Sequence, residues 1–383
     1  MSWQTVQIKD ICKKVTSGGT PLTSKENYYF PRQIPWVKTK EVNYCRITDA
    51  ETYISKDGLN NSSAKLIPAN SVIVAMYGQG DTAGRVAINK IPVATNQACC
   101  NLIIDEAKAD YRFIYYKLST MYDKLVSLKN GGAQPNLNAA IIKNLEVNIP
   151  NLETQHNIAD ILSAYDDLIV NNQKQIKLLE EAAQRLYKEW FVDLRFPGYE
   201  NTPIFDGVPQ GWSNGTLDEV ANFKRGKTIT KDQTCAGTIP VVAGGLEPAY
   251  YHSQANTLSP VITVSGSGAN AGFTRMYHTP IWASDCSFVD SQNTRNIYFA
   301  YCMLKSKKDD IDALQKGAAQ PHVYAKDINA LGILVPDSNC LAKFERLVTP
   351  FFEKIKVLYK QIELSKESRD RLLPKLMSGE LEV

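Results

Sequence analysis

Asn130-Gly131-Gly132-Ala133-Gln134-Pro135 returns as Lys316-Gly317-Ala318-Ala319-Gln320-Pro321, and the chain goes on alike after each copy. A short apolar strand ends at Pro150 in one copy and at Pro336 in the other, and a long heptad pattern follows. From Gln134 to the end of the heptads the offset is a constant 186 residues. Self-similarity at a fixed distance marks one structural unit used twice.

The heptads fix the element type. Ile158, Tyr165, Asn172, Leu179 and Leu186 are spaced by seven, and Leu162, Ile169, Ile176, Ala183 and Trp190 follow them at an offset of four. Phe344, Phe351, Leu358, Ser365 and Leu372, with Val348, Ile355, Ile362, Arg369 and Leu376, repeat the pattern. That spacing is a coiled-coil seam. Each run is roughly 35–40 residues, about 52–60 Å of helix. Burying a large apolar side chain contributes about 1.5–3 kcal/mol, so the two helices are expected to pair, antiparallel, through these residues. Asn172 in the seam costs stability and fixes register. Pro374 is expected to end or kink the second helix within a residue or two.

Upstream of each helix the copies also match. Trp3 and Trp212 each open an amphipathic segment; Ser17-Gly18-Gly19-Thr20 answers Gly226-Lys227-Thr228, and Ile34-Pro35 answers Ile239-Pro240. Strand-like runs Val72-Ile73-Val74-Ala75-Met76 and Val261-Ile262-Thr263-Val264 lead into Gly78-Gln79-Gly80-Asp81-Thr82-Ala83-Gly84 and Gly266-Ser267-Gly268-Ala269-Asn270-Ala271-Gly272. Strands Arg85-Val86-Ala87-Ile88 and Phe273-Thr274-Arg275-Met276 follow. The offset falls from 209 at the tryptophans to 188 here, so the first copy carries about twenty extra residues, expected in a surface loop. Small helices are expected over 111–124 and 297–304. The fold class is therefore α+β: two pseudo-twofold-related mixed α/β domains separated by two long antiparallel coiled-coil helices. The boundaries read as 1–150 and 201–336 for the domains, and 151–200 and 337–383 for the helical regions.

Composition excludes several classes. No stretch approaches the roughly 20 apolar residues of a membrane span, and the first residues have no signal-peptide core, so a cytoplasmic location is expected. The eight cysteines include no CxxC pair and read as free thiols. Residues 1–150 hold 18 Lys/Arg against 12 Asp/Glu, whereas 201–336 balance at 11 against 11. A basic first domain suits phosphate binding, but charge alone leaves nucleic acid undecided. Ala221-Asn222-Phe223-Lys224-Arg225-Gly226-Lys227-Thr228 fits a relaxed phosphate-loop pattern in the wrong context, since Leu217-Asp218-Glu219-Val220 reads as a surface turn. The glycine loops are GxGxxxG and lead into strands, so no helix N-terminus awaits a pyrophosphate. The four histidines have no metal-ligand spacing. No amino-methyltransferase motif is present, and a catalytic role is the weaker reading.

Leu186-Tyr187-Lys188-Glu189-Trp190-Phe191-Val192-Asp193-Leu194-Arg195-Phe196-Pro197-Gly198-Tyr199-Glu200 resembles the signature after the central helix of type I restriction-modification specificity subunits. Gly207-Val208-Pro209-Gln210-Gly211-Trp212 resembles the start of their second recognition domain, Gly132-Ala133-Gln134-Pro135-Asn136-Leu137 the turn closing each domain, and Arg371-Leu372-Leu373-Pro374-Lys375-Leu376-Met377-Ser378-Gly379-Glu380-Leu381 their C-terminal end. The resemblance implies two target recognition domains, each reading half of a bipartite double-stranded DNA site. It implies that the paired helices set the spacer and carry two methyltransferase subunits, with restriction subunits joining. S-adenosylmethionine and ATP would then belong to those partners, and this chain would need no cofactor and no metal.

Base edges are read by Arg or Lys toward guanine and by Asn or Gln toward adenine. The candidates in or beside the loops are Lys38, Lys40, Gln79 and Arg85 in the first copy and Asn270 and Arg275 in the second. Lys13, Lys14, Lys224, Arg225 and Lys227 are candidates for phosphate contacts, which position without specifying. Phe191 and Phe196 are candidate aromatic anchors for a methyltransferase, or core of the second domain. The rival reading is a helical scaffold that binds protein partners and no DNA; a stand-alone nucleotide enzyme is third.

Overall fold

The structure, a computed structural model, describes residues 3–130, 135–317 and 321–383. Most of the repeated Gly-Gly-Ala-Gln and Gly-Ala-Ala-Gln turn (131–134 and 318–320) lies outside the described residues. By contact the chain forms two units, Met1–Val170 with Glu363–Val383, and Asn171–Ile362. The division falls inside both long helices, so each unit holds one mixed domain and a stretch of each helix.

In the first unit the larger sheet runs Cys12–Ser17, Cys99–Ile104, Val72–Ala75, Val86–Asn89, Cys45–Ile47. Every neighbour is antiparallel except Cys45–Ile47, which pairs parallel with Val86–Asn89. Val72–Ala75 is buried on both faces, which explains its uninterrupted apolar run. A smaller sheet runs Thr52–Ile54, Ile34–Val37, Val93–Thr95, Leu66–Ile67. The helix Tyr111–Ser119 starts where the Asp110 carboxylate accepts the Arg112 N–H at 2.7 Å. It buries Phe113, Ile114 and Leu118 against the larger sheet, in one core with Ile158, Leu162, Leu376 and Met377 of the long helices. The helix expected over 111–124 is two helices, Tyr111–Ser119 and Tyr122–Ser127. The break is a tight turn in which the Thr120 N–H reaches both Tyr116 O and Lys117 O.

The second unit repeats the order. Its larger sheet runs Lys224–Arg225, Cys286–Asp290, Val261–Ser265, Thr274–Tyr277, and its smaller sheet Tyr250–His252, Ile239–Val242, Trp282–Ala283. The extra residues of the first copy are not simply a surface loop. They supply Cys45–Ile47 and Leu66–Ile67, which add to one edge of each sheet, and the short helix Lys56–Asn60. A sheet edge offers unpaired N–H and C=O groups, and an insertion laid along it finds partners that a loop in water would not need.

The central helix spans Leu152–Tyr187 and continues into a π-turn, Lys188–Val192; the C-terminal helix spans Ser338–Ser378. In the first unit Asp166 meets Arg369 at 2.6 Å, while Ile158 and Leu162 share a core with Leu376 and Met377. In the second, Asn172 Nδ2 donates to Gln361 Oε1 at 3.2 Å, and Trp190 lies 5.9 Å from Phe344. Numbers rise along one helix as they fall along the other, so the pairing is antiparallel in each unit. Ile158, Leu162, Ile169, Asn172, Ile176, Phe344, Val348, Ile355, Leu358 and Ile362 are buried; Tyr165, Leu179 and Phe351 are half-buried. Next to Phe351, Phe352 is buried and stacks on Tyr298 at 4.3 Å, so the helix turns a second apolar row toward the mixed domain there. Arg369 occupies a seam position because Asp166 and Asp370 neutralise it.

Pro374 does not end the helix, which runs on to Ser378. Leu376 and Met377 are buried beyond it, and Lys117 Nζ donates to the Met377 carbonyl at 2.7 Å. Tertiary packing there outweighs the proline's missing N–H. Among the described residues no helix is long and apolar enough to cross a membrane. All eight cysteines are free thiols.

Candidate nucleic-acid interface

The glycine turn does the same job in both copies. The Gly18 and Gly19 N–H groups donate to Cys99 O and Thr95 O at 3.2 and 2.9 Å; those of Gly226 and Lys227 donate to Cys286 O and Ala283 O at 2.8 and 2.9 Å. A Cβ on Gly18 would overlap the Thr95 carbonyl, and one on Gly226 the Ser284 carbonyl, so only glycine lets the turn cross the neighbouring strand so closely. The next carbonyl outward accepts an indole N–H in each copy. Trp36 Nε1 donates to Gly19 O at 3.0 Å and Trp282 Nε1 to Lys227 O at 2.8 Å. The two tryptophans are not equivalent in sequence. Trp36 stands on Ile34–Val37, whereas Trp282 stands on the strand that takes the place of its parallel neighbour Val93–Thr95.

The glycine loops sit at this same end of the larger sheets. Gly84 N–H returns to Ala75 O at 2.8 Å, and Gly272 N–H to Ser265 O at 2.9 Å. Gly84 packs on Tyr122 and Leu125 with φ +96°, and Gly272 on Ile311 with φ +87°. By these bonds the second loop is two residues shorter than the first. The uniform offset of 188 across strand and loop is therefore corrected: Val74 corresponds to Val264, and Gly78 and Gln79 have no strict counterparts in Gly266 and Ser267. Arg85 still corresponds to Phe273, because the Arg85 N–H to Thr82 O and Phe273 N–H to Asn270 O bonds match. Val37 and Val242 correspond as well, through Asn96 N–H and Ser284 N–H, so Lys38 faces Ala243.

Lys38, Gln79 and Arg85 thus share one end of the first domain. Lys38 lies over the Trp36 ring, 5.4 Å from its centroid, and Gln79 is exposed in the loop. Arg85 donates to Asn43 Oδ1 at 3.0 Å and pairs with Asp81, so its guanidinium is already held within the chain. Lys40 pairs with Glu51. Lys13 and Lys14 are exposed but pair near Ile103 and Ile104, toward the opposite end of the sheet. In the second domain Arg225 and Lys227 are exposed beside the turn, Lys227 6.0 Å from the Trp282 centroid, and Lys224 donates to Asn293. Asn270 lies in the loop, on the wall of a cavity of about 630 Å³ with Gln184, Lys305 and Gln315. Arg275 lies over Tyr277 and donates to Leu246 O at 2.8 Å. Trp36, Trp282, Asn43 and Asp81, which hold these cations, carried no sequence signal beyond the i, i+2 spacing of Trp36 and Lys38 on one strand face.

Phe191 and Phe196 are placed differently from a partner anchor. They are 7% and 5% exposed, within an aromatic cluster with Trp212, Phe299 and Phe344. The π-turn after Tyr187 turns Phe191 inward, and both rings are spent on the core of the second unit.

The helices hold the domains through buried polar groups as well as apolar ones. Asp166, on the central helix, accepts from Tyr116 OH and Arg369 Nη1, with Arg46 Nη2 at 3.9 Å. In the second unit a Glu345 carboxylate oxygen accepts the Phe299 N–H at 2.8 Å, in the first turn of Ile297–Ser306. Burial pushes Glu345 up to about 8. Among the described residues no group of three or more His, Cys, Asp or Glu is placed to hold a metal ion.

The type I restriction modification DNA specificity domain family matches residues 1–181 and 209–367, one match per copy. The MjaIX specificity subunit of Methanocaldococcus jannaschii is 30% identical, over all of this chain and 94% of its own. The EcoR124I/EcoR124II specificity subunit of Escherichia coli is 28% identical over 47% of this chain and 45% of its own. In fold the chain is similar to the crystal structure of a type I restriction-modification S subunit from M. genitalium, with a TM-score of 0.65, 20% identity, and coverage of 98% and 96% of the two chains. Matched in both copies and along its whole length, the chain belongs to the type I restriction-modification specificity subunits, a non-catalytic family.

Proposed function

We propose that this chain reads a bipartite, asymmetric double-stranded DNA site, one half with residues 1–150 and the other with 201–336. On this reading the helical regions 151–200 and 337–383 set the unread spacer and carry two methyltransferase subunits, with restriction subunits joining the complex in the cytoplasm. S-adenosylmethionine and ATP are then the partners' cofactors. The observation that carries the reading is that both copies hold the same turn and loop at the same sheet end but arm the loop differently: Arg85 against Phe273, with Gln79 in a first loop that is two residues longer. Equal frames with unequal donors suit two different half-sites. Phosphate contacts would come from uncommitted lysines, and base contacts from Gln79, Asn270 and the arginines once DNA competes for their present partners.

The test is replacement of 201–336 by the corresponding domain of another specificity subunit, followed by genome-wide methylation mapping. One half of the methylated sequence changes and the other stays. A map in which both halves change, or neither, contradicts the assignment of one half-site to each domain.

A further inference from the structure

Most cations at the reading ends are already spent. Lys40 is paired with Glu51, Arg85 with Asp81 and Asn43, and Lys316 with Asp327, while Arg275 donates to Leu246 O. A cation neutralised by its own chain displaces fewer counterions when it meets a phosphate. Lys38 and Lys227 stand apart: among the described residues neither ammonium has an ion pair or a hydrogen bond, and each lies over a tryptophan ring. Other stacked lysines are committed: Lys25 donates to Tyr28 OH, Lys90 to Asn70, Lys117 to Met377 O and Lys305 to Thr274 O. Lys326 over Tyr324 keeps its donors, but the matching residues of the first copy are Ala140 and Asn138.

What joins Lys38 and Lys227 is the carbonyl at the N–H edge of each ring. Gly19 O and Lys227 O are the same position of the repeated turn, fixed by the same pair of backbone bonds, and each accepts the indole N–H. In the first copy the tryptophan and the lysine both come from the strand Ile34–Val37 and the residue after it. In the second copy the tryptophan has moved to the neighbouring strand and the lysine to the turn itself. Two residues have changed places in sequence, yet the assembly of turn carbonyl, indole and ammonium is rebuilt. Packing alone needs an indole there; it does not need a lysine over it. A ring face holds an ammonium by attraction to its quadrupole without neutralising it, so all three N–H donors stay available to an anion.

We propose that Lys38 and Lys227 are counterpart phosphate clamps, one in each recognition domain, each held by its tryptophan to take one backbone phosphate of its own half-site. This reassigns Lys38 from reading bases to positioning, and it rests on the DNA-specificity reading above.

The test uses the full chain assembled with its methyltransferase subunits. The variants are Lys38→Ala, Lys227→Ala, the double variant, Lys38→Arg and the stacked but committed Lys25→Ala. Affinity for duplex carrying the mapped site is measured from low to high salt. Each single alanine variant lowers the slope of log K against log salt by about 0.9, an affinity loss of about eightfold at 0.1 M salt that fades toward 1 M. The double variant loses about twice that slope, Lys38→Arg and Lys25→Ala keep the parental slope, and the methylated sequence is the same in all. A Lys38→Ala complex that methylates an altered sequence, or either alanine variant with an unchanged slope, overturns the proposal while leaving the specificity reading intact. A parental complex with no salt-dependent DNA binding overturns the reading itself.

Discussion

Glu345 shows how much one carboxyl group can decide. It lies on the C-terminal helix, accepts a main-chain N–H from the start of Ile297–Ser306, and is held by burial at about 8. The fold keeps its proton where the unfolded chain has released it, so stability falls as pH rises from the ordinary glutamate range through about 8. His278, against Phe352 and Tyr359, acts in the opposite sense. Burial holds it down to about 4, so folding loses stability as pH falls below the usual histidine range of about 6.5. The two slopes oppose each other in mild acid, and only the glutamate's remains above neutrality. The second unit is therefore expected to weaken by about 1–3 kcal/mol between pH 6.5 and 8.5. Glu345→Gln keeps an acceptor oxygen for Phe299 and loses the titration. Its thermal unfolding against pH should be nearly flat in that window, and a slope equal to the parent's would remove Glu345 as the cause. None of this was legible in the sequence, because Glu345 is outside the seam and its partner lies 46 residues upstream.

Among the elements, the long helices were the most legible part, because an apolar period of seven sustained over five repeats fits a helical seam and does not fit a strand or a loop. What the period could not say is how each polar seam position is treated. Asn172 is buried and, among the described residues, its side-chain amide donates to Oε1 of an exposed Gln361, whereas Arg369 is locked to Asp166, itself bonded to Tyr116. Opposite mutational signs follow. Asn172→Leu should raise the unfolding midpoint, by roughly 1–2 kcal/mol of added apolar burial, since Gln361 can turn to water. Asp166→Ala leaves the buried Tyr116 hydroxyl without its acceptor and Arg369 with Asp370 alone, and should cost about 1–3 kcal/mol. Denaturant unfolding of the two variants checks both signs; a stabilised Asp166→Ala protein would mean the network is incidental. The strands were legible where they alternate or run apolar, but not the edge strands Cys45–Ile47 and Leu66–Ile67, whose three and two residues carry no period. The two-residue difference between the glycine loops was hidden because both happen to spell GxGxxxG.

For the molecule as a whole, repeat, order of domains and family were readable from the chain, because each depends on many residues at once. The individual contacts were not: of the candidate cations, Lys40 and Arg85 turned out to be paired and Lys13 and Lys14 to lie toward the far end of their sheet, facts set by neighbours remote in sequence. If the helices set the spacer, adding four residues after Val170 and a matching four after Ile362, about one turn of each, should lengthen the unread gap between half-sites by a few base pairs. Mapping of methylated sites would report the new gap directly; an active complex with the old gap would remove the helices from that role.

The migration of the indole between neighbouring strands also constrains how these domains can be recombined. A chimera whose crossover falls after the first copy's Ile34–Val37 and before the second copy's Trp282–Ala283 inherits both Trp36 and Trp282, two rings competing for one carbonyl acceptor. The reciprocal hybrid inherits neither, and its turn carbonyl is left without a donor. A breakpoint inside a domain must therefore keep turn and tryptophan from the same parent, a constraint that a crossover between the domains does not encounter.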